Sequence, residues 1–177
     1  MNKQTQRDGT AFARAARGDK LREECGVFGV SLNDATDYAE AAGITYNALL
    51  ALQHRGQEGA GIAVCSGNAI TCRKSVGLVD DVFSSESLMA FPKSGAAVGH
   101  VRYSTTGANT MQNVQPFVTE FLTGRIATVH NGNVTNAGEM REKLEPFGLD
   151  FSATSDSEVI SSLIAYKTLK AGNLLDG

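Results

Sequence analysis

Apolar and polar positions divide the chain at one sharp border. Residues 1–24 carry six basic and four acidic side chains and no extended apolar run. From Cys25 the stretch CGVFGVSL (25–32) is almost unbroken in apolar and small residues, the pattern of a buried strand. DYAEAAGITYNALLALQ (37–53), rich in Ala and Leu, predicts a helix that ends near HRG. GAGIAVCSG and AITCRKSVG predict two short strands joined by a turn at Ser66–Gly67–Asn68. VDDVFSSESLMAF predicts a short helical stretch, and AAVGHVRYST, PFVTEFL and RIATVHNG predict three further strands. Two helices follow. The first takes Asn136 as its N-cap, with Glu139 three residues on, and stops near Pro146 and Gly148. The second starts at Ser155, with Glu158 closing a capping box and Val159, Ile160, Leu163, Ile164 and Tyr166 at helical spacing. Helices flanking several consecutive strands make the fold class α+β, two layers of sheet covered by helices.

A length of 177 residues supports one domain with its own core. Hydrophobic residues at 42% and charged residues at 20% fit a soluble globular chain. The net charge of −3 and pI near 5.6 lack the basic footprint of a nucleic-acid-binding protein. Small molecules and proteins remain as partners. No stretch approaches the roughly 18 apolar residues that a membrane span needs. The first 24 residues lack the apolar centre of a secretory signal and the serines of a transit peptide. The expected location is cytoplasmic. Cys25, Cys65 and Cys72 are odd in number and form no close-spaced Cys/His motif, so reduced thiols are expected rather than a disulfide framework. Counted separately, residues 1–24 carry +2 and the remainder −5. That division reads as a leader or propeptide, 1–24, before a domain spanning 25–177.

Several residues at element ends could carry chemistry. Cys25 reads in two ways. One is a small buried hydrophobe at the start of a strand. The other follows from its place at the border: cleavage at Glu24–Cys25 would put a thiol and a free α-amino group on one residue. Such an amine, with a pKa of about 7.7–8.0, can serve as the base for its own thiol. Arg102, at the end of a strand-like run, is either a surface ion-pair partner or a planar fork for a carboxylate. Asn131–Gly132 is a tight-turn signal, and it also supplies an amide side chain and an unhindered N–H, the parts of an oxyanion hole. Asp156 either complements a helix N-terminus or receives a ligand ammonium. His54, His100 and His130 match no compact metal-ligand spacing, and the local signature of a papain-like Cys–His pair is absent.

EECGVFGV, LLALQHRGQEGAGIAV, GHVRYSTTG, NVQPF, VHNGNVTNA and SDSEVI, in that order across residues 23–160, closely resemble the glutaminase half of the amidophosphoribosyltransferases. The resemblance implies the N-terminal-nucleophile hydrolase fold, a four-layer αββα sandwich. It implies Cys25 as nucleophile, with Asn131 and Gly132 as the oxyanion-hole pair. Arg102 would grip the glutamine α-carboxylate with a hydroxyl from Thr105, and Asp156 would bind the α-amino group. Arg55 and Gly56, in HRG, would lie beside the site. The implied chemistry is acyl transfer from glutamine through a thioester. The ammonia released would form 5-phosphoribosylamine from phosphoribosyl pyrophosphate, in purine synthesis.

At LKAGNLLDG the chain stops short of the family pattern, so the sandwich is expected to be incomplete at its C-terminus. Glutamine is then the partner of this part, and phosphoribosyl pyrophosphate that of a domain beyond it. Mg2+, a 4Fe-4S cluster in some members and a homo-oligomer are implied for full-length members, and no metal or other cofactor for this chain. The alternative function is an inert fragment that only binds glutamine or a partner subunit.

Overall fold

The computed structural model describes residues 25–33, 41–103, 110–122 and 124–172. The expected leader and Thr105 lie outside them, as does the first part of the helix expected from residue 37.

The first sheet is antiparallel, in the order β1-β4-β2-β3, from β1 (Gly26–Ser31), β2 (Gly59–Ser66), β3 (Ala69–Val76) and β4 (Ala96–Arg102). The β2–β3 hairpin turns where expected, with Gly67 at a φ of 59° that favours glycine. The helix α1 (Ala41–Ala51) covers one face of this sheet. Ala41 and Leu49 of α1 pack there with Ala60, Ile62, Val64, Ala97 and Val101 from the strands. Each fully buried Leu, Ile or Val stabilises the fold by about 1.5–3 kcal/mol. Gly99 faces the helix because a Cβ there would lie 2.6 Å from Thr45 Cγ2. The stretch 79–91 forms two short helices, α2 (Val79–Val82) and α3 (Ser85–Met89), instead of one. They are separated because Phe83 and Ser84 are extended, and the Ser84 side chain caps the second.

The second sheet is the hairpin of β5 (Phe117–Phe121) and β6 (Gly124–Thr128). It meets the first sheet through β6 and β3, and α5 (Asp156–Ala171) covers it. α4 (Ala137–Leu144) packs on α5. The layers therefore run helix, sheet, sheet, helix. α5 meets the rest of the molecule with only part of the apolar series expected from its sequence. Val159 is buried, together with Ser157, Glu158, Ser161, Ser162, Ala165 and Thr168, while Ile160, Leu163, Ile164 and Tyr166 are half-buried. Ser161 Oγ lies 2.6 Å from Thr119 Oγ1 of β5 and accepts from Thr128 Oγ1 of β6 at 3.3 Å. Small hydroxyl side chains let helix and sheet approach closely while satisfying each other.

The two expected capping boxes do not form. Asn136 makes no side-chain cap, its backbone being outside the extended region that capping uses. At α5 the Ser155 side chain does cap, accepting from Ser157 N at 3.3 Å. Glu158 turns instead to the preceding loop and accepts from Ser152 N, Ser152 Oγ and Ala153 N at 2.9–3.0 Å. The Ser155 N–H goes to Asn113 Oδ1 at 3.1 Å.

Candidate active site

Cys25 immediately precedes β1, whose antiparallel pairing sets Gly26 opposite Val101. The thiol consequently lies against the end of β4. Its Sγ is 3.5 Å from the Tyr103 carbonyl and accepts the Tyr103 N–H at 3.4 Å. Cys25 has a φ of 42°, the left-handed region that costs an L-residue about 1–2 kcal/mol. The HRG segment supports this position. Arg55, in the single helical turn after α1, donates Nε to the Cys25 carbonyl at 2.8 Å. Gly56 lies flat on β4: a Cβ there would be 2.7 Å from the carbonyl carbons of Val101 and Arg102.

Arg102 ends β4 on the face opposite α1 and is buried, 5% exposed. Burial lowers its pKa below the ordinary arginine value, opposed by the negative charge of Glu58 and by Cys25. Asn131 and Gly132 follow β6, and Asn131 Nδ2 donates to the Cys25 carbonyl at 3.4 Å. A Cβ at Gly132 would stand 2.6 Å from His130 Nε2, so any side chain there would push the His130 ring aside. Asp156, the first residue of α5, accepts the Val134 N–H at 2.5 Å and the Ser157 hydroxyl at 3.3 Å. It thereby ties the segment after Gly132 to the start of α5.

Cys25, Arg102, Asn131, Gly132 and Asp156 thus come from four separated stretches and line one cleft. Arg55 and Gly56 stand behind it, supporting Cys25 and β4. A thiol, a guanidinium, an amide donor and a carboxylate around one cleft suit an amino acid with a side-chain carbonyl. The cleft is also lined by groups to which the sequence assigned no role. Gln115, Asn113 and Ser157 line it, as does His100. NVQPF was a signal for the first two, since an amide beside a proline at a strand start marks a shaped loop. His100 carried none beyond its alternation on β4. It is fully buried, and burial, together with nearby Arg102, lowers its pKa to about 3. Neither ring nitrogen makes a sound hydrogen bond among the described residues, although the His130 backbone is near enough to favour the charged form slightly. Among the described residues no group of His, Cys, Asp or Glu side chains is arranged to hold a metal ion. None of the three cysteines is in a disulfide, and no described helix is long and apolar enough to cross a membrane.

A family described as "Glutamine amidotransferase domain" matches residues 100–177, the part that carries Arg102, Asn131, Gly132 and Asp156. Amidophosphoribosyltransferase 3 of Arabidopsis thaliana is 44% identical over 162 residues, 92% of this chain and 29% of its own length. The amidophosphoribosyltransferase of Methanothermobacter thermautotrophicus is 44% identical over 156 residues, 88% of this chain and 32% of its own. Over most of its length the chain is similar to the glutamine amidotransferase part of the amidophosphoribosyltransferases. The human amidophosphoribosyltransferase is 43% identical over 150 residues. Among solved structures, the B. subtilis glutamine phosphoribosylpyrophosphate amidotransferase, complexed with ADP and GMP, superposes with a TM-score of 0.66 at 42% identity. That match covers 78% of this chain and 28% of the other. A structure described as the allosteric regulatory enzyme of purine biosynthesis gives a TM-score of 0.68, also at 42% identity. The helix–sheet–sheet–helix arrangement is therefore the N-terminal-nucleophile hydrolase fold of the amidophosphoribosyltransferases. The chain spans about a third or less of the length of these relatives.

Proposed function

We propose that this chain is a glutaminase that releases ammonia from glutamine at Cys25. The observation that carries the reading is the convergence of Cys25, Arg102, Asn131–Gly132 and Asp156 on one cleft. Arg102 pairs with the α-carboxylate of glutamine, assisted by Thr105, and Asp156 with its α-ammonium. The side-chain carboxamide then points at Cys25. The Cys25 sulfur attacks the carboxamide carbon and its proton passes to the base. The oxyanion accepts hydrogen bonds from Asn131 Nδ2 and the Gly132 N–H. Collapse expels the amide nitrogen as ammonia, with a proton returned from the base, and leaves a γ-glutamyl thioester. Water hydrolyses that thioester, giving glutamate and the free thiol.

The base in this reading is the α-amino group of Cys25 itself, available after cleavage of the Glu24–Cys25 bond. The left-handed backbone at Cys25 supports it. Cleavage removes the peptide bond that defines this φ, and the strain disappears with it. The names of its relatives, amidophosphoribosyltransferase and enzyme of purine biosynthesis, support the further reading that the ammonia serves 5-phosphoribosylamine formation from phosphoribosyl pyrophosphate at a site outside these residues. Intact-mass analysis of the purified 177-residue chain, followed by an ammonia-release assay with glutamine, tests both parts. The expected result is loss of residues 1–24 and glutamine hydrolysis that Cys25→Ala abolishes. A processed, folded chain that releases no ammonia overturns the reading in favour of a glutamine- or partner-binding module.

A further inference from the structure

One buried side chain holds both main-chain groups of the residue before the Asn131–Gly132 turn. Gln115 is 5% exposed. Its Oε1 accepts the His130 N–H at 2.6 Å, and its Nε2 donates to the His130 carbonyl at 3.0 Å. Nε2 also reaches Ser157 Oγ at 3.2 Å, and that hydroxyl lies 3.1 Å from His130 Nδ1. His130 lies beyond the end of β6, where no described strand pairs with its backbone. The Gln115 amide takes the place of a neighbouring strand.

The base under Gln115 is equally fixed. Lys74 of β3 donates its ammonium to the carbonyls on either side, Val114 at 2.5 Å and Pro116 at 3.1 Å. The same Nζ lies 4.9 Å from the centre of the Phe117 ring. On β2, Gly61 lets the Gln115 carbonyl approach so closely that a Cβ would lie 2.1 Å from it. The first sheet is thus an anvil, and Gln115 transmits its rigidity to the turn.

We propose that Gln115 is a positioning residue that sets the Asn131–Gly132 oxyanion turn through the His130 backbone. The inference rests on the glutaminase reading for its catalytic consequence, but the mechanical part stands on its own. It also says why an amide is needed. One end must accept and the other donate, and a carboxylate would place an acceptor against the His130 carbonyl.

The test uses the 177-residue chain and its Gln115→Glu and Gln115→Met variants, all with matching far-UV circular dichroism. Oxyanion donors act only in the transition state, so a displaced turn lowers kcat and spares KM. The expected result for Gln115→Glu is a kcat for glutamine at least 10-fold lower with KM within about twofold. A KM rise that accounts for the whole loss, or an unchanged kcat, overturns the proposal while leaving the glutaminase reading intact. Amide hydrogen exchange supplies a readout that needs neither activity nor a folded variant. In the unmodified chain the His130 amide should be protected as strongly as those of β6. Exchange at the rate of an open loop would overturn the proposal. If the unmodified chain shows that protection yet hydrolyses no glutamine, the glutaminase reading fails and the clamp survives.

Discussion

A methyl group added at position 56 would stand 2.7 Å from the main chain of Val101 and Arg102, and backbone cannot step aside as a side-chain tip can. Gly56→Ala therefore displaces the end of β4. Overpacking of this kind costs about 1–3 kcal/mol, read as a lower urea midpoint. Because Arg102 is the group that would hold the glutamine carboxylate, KM for glutamine should rise more than kcat falls. Asn131→Ala should show the opposite split. Loss of one oxyanion donor lowers kcat by about 10²–10³ with little change in glutamine binding. Steady-state kinetics on both variants checks the pair. Equal losses of binding and turnover in Asn131→Ala would refute its role. Both residues were legible in the sequence as parts of glycine-bearing clusters. The physical reason for Gly56 was not. Its φ of −159° is ordinary, and only the packing of the turn against β4 forbids a side chain.

At the scale of elements, the start of α5 shows what pattern can and cannot give. Ser155 was found as the N-cap from sequence. The rest of the cap comes from 42 residues earlier: Asn113 Oδ1 accepts the N–H groups of Thr154 and Ser155 at 2.9 and 3.1 Å, and its Nδ2 donates to Thr154 Oγ1 at 2.9 Å. No local signature encodes a cap delivered from a distant loop. Asn113→Ala leaves those part-buried donors without this acceptor and should cost about 0.5–1.5 kcal/mol by urea unfolding. The same change loosens the helix start that carries Asp156, so KM for glutamine should rise as well. A stability loss with an unchanged KM would mean that the cap serves folding alone. Part of the buried face of α5 was hidden for a related reason. Helical spacing picked out its large apolar residues, the buried Val159 among them, while the strands also select its small hydroxyl ones, and which face is covered depends on what arrives to cover it.

For the molecule as a whole, the most buried titratable group sets a pH dependence. His100 has a folded pKa of about 3 against an ordinary 6.5. Above pH 6.5 it is neutral in both folded and unfolded chains and adds no pH dependence. Below 6.5 the unfolded chain takes up a proton that the folded chain refuses until about pH 3. Stability is therefore lost as pH falls through that window. The penalty at pH 5 is about 2 kcal/mol. Urea unfolding at pH 7.5 and pH 5 should show the unsubstituted chain losing about that much more than His100→Asn. Equal losses in the two would contradict the lowered pKa of His100.

What the sequence determined by itself was local. Strand alternation, the Gly67 turn and the Ala- and Leu-rich helix fixed the elements, because each depends on neighbours a few residues away. The residue types for the chemistry were also visible, since a thiol, a guanidinium, an amide–glycine pair and a carboxylate are recognisable wherever they stand. Tertiary structure decided their meeting. Antiparallel pairing of β1 with β4 brings Cys25 to the Tyr103 backbone 78 residues away, and the second sheet brings Asn131 within hydrogen-bonding distance of the Cys25 carbonyl. It also decided the supporting roles of Gln115, Asn113, Lys74 and His100. Those roles are set by which distant polar groups burial leaves in need of a partner, and burial is a property of the assembled layers alone.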